Sequence, residues 1–97
     1  MLLGLVTAND TEEQHLVGLA AASAKRGWET RCFLTDRGVR LLRSAALQGL
    51  AASGAIQLTV CEHSWETYGG SLPAGVNLGS QYQNAELAHL CDRVIVL

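Results

Sequence analysis

The sequence predicts an α/β protein, a three-layer sandwich built on a mainly parallel sheet of about five strands. Two observations carry this expectation. Short apolar runs alternate with segments of helical periodicity along the whole chain, and that alternation is the signature of parallel strands joined by right-handed helical crossovers. The first run, residues 2–8, is nearly unbroken in its apolar character, as in a strand covered on both faces.

The remaining elements follow in order. Asn9, Asp10 and Thr11 offer helix N-caps, and Glu12 and Glu13 suit a helix N-terminus. Leu16, Val17, Ala20, Ala21 and Ala24 recur at helical spacing. Lys25, Arg26 and Gly27 then place cations in the last turn and a glycine after it, a stop signal. Residues 28–35 are rich in β-formers and read as a second strand. Asp36-Arg37-Gly38 reads as a turn. Residues 39–53 read as mostly helical, in two pieces around Gly49, and Gly54 closes them. A third strand covers 56–60, and one helical turn is expected over 64–68. Residues 69–75 form a loop, 76–78 a short strand, 81–90 a helix, and 93–97 a last strand. The order βαβαβ(α)βαβ is most economically a small flavodoxin-like fold.

At 97 residues the chain is expected to be one domain spanning 1–97. Its 48% hydrophobic and 16% charged residues lie outside the range of disordered chains. A net charge of -2 argues against a general binder of nucleic acid or anionic membranes. No run of eighteen apolar residues exists to span a bilayer. The start, MLLGLVTAND, lacks the basic flank of a signal peptide, so a cytoplasmic protein is expected. Cys32, Cys61 and Cys91 are odd in number, far apart and in no CxxC pair, which disfavours a disulfide framework. The closing DRVIVL is an apolar strand with no covering segment after it. That is an edge liability in a monomer, so an oligomer is expected to cover it, the competing reading being a central strand that needs no cover.

Ligands and reactive groups of such sheets gather at the carboxyl ends of the strands. Cys61, Asn9, Asp10 and Asp36 are all placed there. In LTVCEHSWETYGG, Cys61 ends the third strand and His63 lies two residues on. A strand-tip thiol is accessible, and a helix start after it would lower its pKa. His63 would tune it if the ring turned back, whereas Glu62 opposes a thiolate. The competing reading makes Cys61 a small buried packing residue. Other cysteine chemistries lack their parts. A C-x5-R phosphatase loop needs an arginine where Thr67 stands. A thioredoxin-like dithiol needs a cysteine where Ser64 stands. Cys61 and His63 have no paired metal-ligand spacing with His15 or His89, so no metal is expected. No Gly-rich phosphate fingerprint appears, and no organic cofactor is expected.

Arg37, Arg40 and Arg43 recur at spacing three, as a solvated face or as an anion- or partner-binding stripe. Trp65 and Tyr68 are expected either to wall the thiol, to anchor a neighbouring subunit, or to tuck the loop onto the sheet. Cys32, inside the second strand, and Cys91, at the end of the last helix, are expected in the core.

Four stretches resemble the DsrE/DsrF-like sulfur-relay family, which includes TusD-like subunits: FLTDRGVRLL, LTVCEHS, GVNLGSQYQNAELAHL and the closing CDRVIVL. The resemblance covers essentially the whole chain, although the segment between Cys61 and Val76 is shorter than in many relatives. It implies a flavodoxin-like fold and a trimeric or hexameric homo- or hetero-oligomer. It also implies a sulfurtransferase activity in which Cys61 holds sulfane sulfur as a persulfide, taken from a sulfur-donor protein and passed to a sulfur-acceptor protein. Neither metal nor organic cofactor is implied. The alternative from another class is a non-catalytic α/β subunit that uses the same strand-tip edge for a small anion or a protein partner.

Overall fold

The computed structural model describes residues 1–97. It contains five strands, β1 (Leu2–Thr7), β2 (Glu29–Leu34), β3 (Gln57–Cys61), β4 (Val76–Gly79) and β5 (Arg93–Val96). The helices are α1 (Glu13–Lys25), α2 (Ala45–Ala52), α3 (Glu62–Tyr68) and α4 (Gln81–Leu90), and a 3-10 helix covers Asp36–Arg43. All neighbouring strands pair in parallel, in the order β4-β3-β2-β1-β5. The flavodoxin-like expectation of a parallel five-stranded sheet with helices on both faces therefore holds.

The two faces are unequally dressed. Because side chains alternate along a strand, Leu3 and Leu5 of β1, Cys32 and Leu34 of β2, and Leu58 and Val60 of β3 share one face. There they form the main core with Leu16 and Ala20 of α1, Val39, Leu41 and Leu42 of the 3-10 helix, and Leu47 and Ala51 of α2. The other face carries a smaller cluster of Val6, Phe33, Cys61 and Leu87, with Cys91 beside it. Only α4 supplies its cover. That helix lies so close to β1 that a Cβ on Gly4 would stand 2.4 Å from Leu87 Cδ2 and 2.9 Å from Cys91 Sγ. A glycine inside a buried strand here marks the close approach of another element.

Three local details differ from the sequence expectation. The segment 36–43 is a continuous 3-10 helix rather than a turn leading into an α-helix. The break falls at Ser44, not Gly49, because Ser44 Oγ accepts the Leu47 N–H at 3.2 Å and caps α2. At the first helix, Asn9 closes a turn onto Thr11 N–H at 3.1 Å, and α1 starts after Glu12 with no side-chain cap. No helix is long and apolar enough to cross a membrane.

β5 lies at the sheet edge, paired only with β1. On it Val94 is exposed and Val96 is 74% exposed.

Candidate functional site

Parallel register gathers the site. Leu34 is level with Val60, and Cys61 is level with Gly79. The residue that follows β2, the last residue of β3 and the last residue of β4 therefore stand in one row at the carboxyl edge. Thr35, Cys61 and the start of α4 meet there, although they are far apart in sequence.

Each neighbour is held by its own local structure. Thr35 extends the ladder, its N–H donating to Thr7 O at 3.0 Å. Asp36 follows at φ 52, a left-handed conformation that aspartate tolerates better than most residues. Its N–H donates to Ser64 Oγ at 2.8 Å, which joins the start of the 3-10 helix to α3. Ser80 caps α4 by accepting the Tyr82 N–H at 3.2 Å, and Gln83 Oε1 accepts the Ser80 N–H at 2.5 Å in return. That capping box holds Gln81, the first helical residue, over the row. Gln81 Nε2 donates to Thr35 Oγ1 at 3.1 Å and to Cys61 Sγ at 3.5 Å.

Cys61 is 5% exposed. Its residual surface opens on a cavity of about 280 Å³ lined by Glu62, His63, Glu66, Gly79, Ser80 and Gln81. Burial pushes the Cys61 thiol up, but the Ser64 N–H and hydroxyl, the Gln81 amide and the Thr35 hydroxyl together outweigh it. The thiol is held below its ordinary value, because donors facing a sulfur favour its anion. Among these four groups only Gln81 closes a hydrogen bond to the sulfur.

His63 shares the cavity lining with Cys61, is exposed, and makes no hydrogen bond to the sulfur. Asn9, Asp10 and Asp36 lie at the same edge of the sheet, but Asn9 bonds Leu97 O at 3.3 Å and Asp10 pairs with Arg40 at 3.2 Å. Trp65 and Tyr68 pack against the main core, on the face opposite the Cys61 cluster. Cys32 is 1% exposed, and burial pushes its thiol up to about 12. Cys91 is half-buried, with its thiol raised chiefly by burial. His15 pairs with Glu12 at 2.5 Å, and His89 is exposed on α4. No three His, Cys, Asp or Glu side chains come together as a metal-binding set.

The sequence does not mark Thr35, Ser64 or Gln81 as site residues. Ser64 carries a local signal, since the third residue of a helix points its N–H back at the preceding cap position. The Ser80–Gln83 capping box marks where α4 begins. Nothing local ties Gln81 or Thr35 to Cys61.

Fold and site together define a flavodoxin-like parallel α/β protein with a cysteine at the carboxyl edge of its sheet, hydrogen-bonded by Gln81. The ychN protein from E. coli, known from its crystal structure, has the same fold. The match has a TM-score of 0.73 over 99% of this chain and 97% of that one, at 14% identity. No protein-family model matches the chain, and no curated protein matches it in sequence.

Proposed function

We propose that the chain is a sulfurtransferase subunit of DsrE/DsrF-like type, with Cys61 as the carrier of a persulfide. The observation that carries this reading is the Gln81 amide held on Cys61 Sγ at 3.5 Å at the tip of β3, beside an open cavity, since a donor on the sulfur favours its thiolate. The sequence stretches that resemble the family supply the reaction class, and the fold shared with ychN is compatible with it.

The chemistry balances without a cofactor. The Cys61 thiolate attacks the outer sulfur of a donor persulfide, R–S–SH. A sulfur–sulfur bond forms to Cys61 while the donor's own S–S bond breaks. The donor leaves as R–S⁻, and Cys61 becomes Cys–S–SH. The sulfane sulfur moves with no net oxidation or reduction. In the second half an acceptor thiolate attacks that outer sulfur, and Cys61 departs as thiolate. The same donors assist both halves, because they favour Cys61 as attacking and as leaving anion. His63 and the two glutamates line the approach to the sulfur. His63 would act there as a tuner of charge or a proton donor to the departing thiolate.

The reading includes partners. A donor and an acceptor protein must reach the carboxyl edge. A further subunit, of like or unlike sequence, would cover the exposed Val94 and Val96 of edge strand β5, since apolar edge strands invite pairing. Cytoplasm is the compartment that this chemistry implies, because thiols stay reduced there.

A second reading is favoured by the 5% exposure of Cys61 and its packing with Val6, Phe33 and Leu87. On that reading Cys61 is structural and the chain is a non-catalytic subunit binding a small anion or a protein at the same edge. Intact-protein mass spectrometry after incubation with polysulfide separates the two. Wild type should gain one reducible sulfur atom and Cys61→Ser none. No gain on wild type, or an equal gain on both, would give the structural reading the lead.

A further inference from the structure

The 3-10 helix Asp36–Arg43 carries Arg37, Arg40 and Arg43. With three residues per turn, positions i and i+3 eclipse, so the three guanidiniums stand on one ridge. They are three of the seven basic residues in a chain of net charge -2. Arg40 is engaged, donating to Asp10 Oδ2 at 3.2 Å and lying 5.2 Å from the centre of the Tyr68 ring. Arg43 makes no ion pair.

A cavity of about 210 Å³ opens beside Arg43, between the 3-10 helix, α2 and the loop after α3. Arg40, Arg43, Gln48, Tyr68, Gly70 and Ser71 supply its polar lining, and no acidic residue lines it. Gln48 is fixed in the wall by its bond to Leu42 O at 2.5 Å. The backbone N–H groups of Gly70 and Ser71 donate to no backbone acceptor. The cavity shares no residue with the one beside Cys61.

We infer that this cavity binds a phosphate monoester, with Arg43 as its principal ligand. The unpaired Arg43 guanidinium and two free amides suit a dianion with several equivalent oxygens, which arginine grips through paired hydrogen bonds, and the Asp10-paired Arg40 adds its charge at the rim. The volume is roughly seven times the share of one water in the liquid, which leaves room for an organic group on the ester. Tyr68 and Pro73 give that group an apolar wall. The site stands independently of the sulfur chemistry at Cys61.

Calorimetric titration of the intact chain with glycerol 3-phosphate, inorganic phosphate and acetate tests this, with amide NMR shifts recorded alongside. Glycerol 3-phosphate should bind most tightly and move the Gly70 and Ser71 amides. Arg43→Gln should weaken it by roughly tenfold or more. Arg37→Gln removes the same charge from the ridge but outside the cavity, and should change affinity by less than about twofold. Arg43 and Arg37 are both exposed, and a thermal melt confirms that each variant is folded. The proposal is overturned by no binding of either phosphate, by equal losses in the two variants, by acetate binding as tightly as phosphate, or by the ester binding no better than inorganic phosphate.

Discussion

Gln81 and Thr35, forty-six residues apart, share a hydrogen bond of 3.1 Å directly beside the Cys61 sulfur. The Gln81 amide spends its second N–H on Cys61 Sγ at 3.5 Å. One side chain on α4 thereby links the ends of β2 and β3 and biases the thiol toward its anion.

That link sets the pH profile of alkylation. Cys61 lies below the ordinary thiol value, so its thiolate fraction at neutral pH exceeds that of a free cysteine. The midpoint of its reaction with iodoacetamide should fall below that of a model thiol. Gln81→Ala should move the midpoint upward and slow alkylation at pH 7.5 roughly fivefold, as expected when a hydrogen bond to an anion is lost. An unchanged midpoint would remove Gln81 from the site.

Cys32 predicts an alkaline limit on stability. Its folded thiol is raised to about 12 from an ordinary 9.0. The folded state therefore keeps a proton that the unfolded chain loses first. The stabilisation is full below the ordinary value and is lost as pH rises toward 12, at about 1.4 kcal/mol per pH unit. Cys32→Ala should be less stable than wild type at pH 8, since it leaves a small cavity. Urea titrations at pH 8 and pH 10.5 should show that gap shrinking by about 2 kcal/mol. A constant gap would mean that Cys32 ionises equally in both states.

Two glycines make a contrasting pair. A Cβ on Gly38 would stand 2.5 Å from the backbone oxygen of Thr7, which cannot give way like a flexible side chain. Gly38→Ala should cost roughly 1–3 kcal/mol. It should also slow Cys61 alkylation, because the 3-10 helix that shifts follows Thr35 directly. Gly18, on α1, has nothing within 4 Å of such a Cβ. Gly18→Ala should stabilise by up to about 1 kcal/mol through helix propensity alone. Thermal and urea denaturation of the two variants should move in opposite directions.

Ser44 is the hinge between the 3-10 helix and α2, and its hydroxyl is the cap. Ser44→Ala should destabilise by about 1 kcal/mol. Ser44→Asp, which can also cap, should retain more of the stability in the same melt. Equal losses would assign the effect to the burial of Ser44 rather than to its hydrogen bond.

The legible parts of this molecule are those written in local periodicity. The apolar runs at 2–8, 28–35, 56–60 and 93–97 announce four strands, and Gly27 and Gly54 end helices where φ turns positive, at 76° and 79°. Cys61 is placed at a strand end by the same local pattern. The segment 36–53 was less legible. Arginines at spacing three fit an α-helix face and a 3-10 ridge alike, so the spacing does not choose between them, and the segment is a 3-10 helix with Val39, Leu41 and Leu42 in the main core.

By itself, then, the sequence determined the parallel α/β class, the order of the elements and the position of Cys61 at the end of β3. These follow from hydrophobic period and capping chemistry, which act within a few residues. Tertiary structure alone decided the rest. The order β4-β3-β2-β1-β5 puts β5 at the edge and leaves one face to α4. The register puts Thr35, Cys61 and the start of α4 in one row. The opposite face takes Trp65 and Tyr68 away from the thiol. Those outcomes depend on which strands pair and on which side each crossover packs, and no short window of residues encodes either.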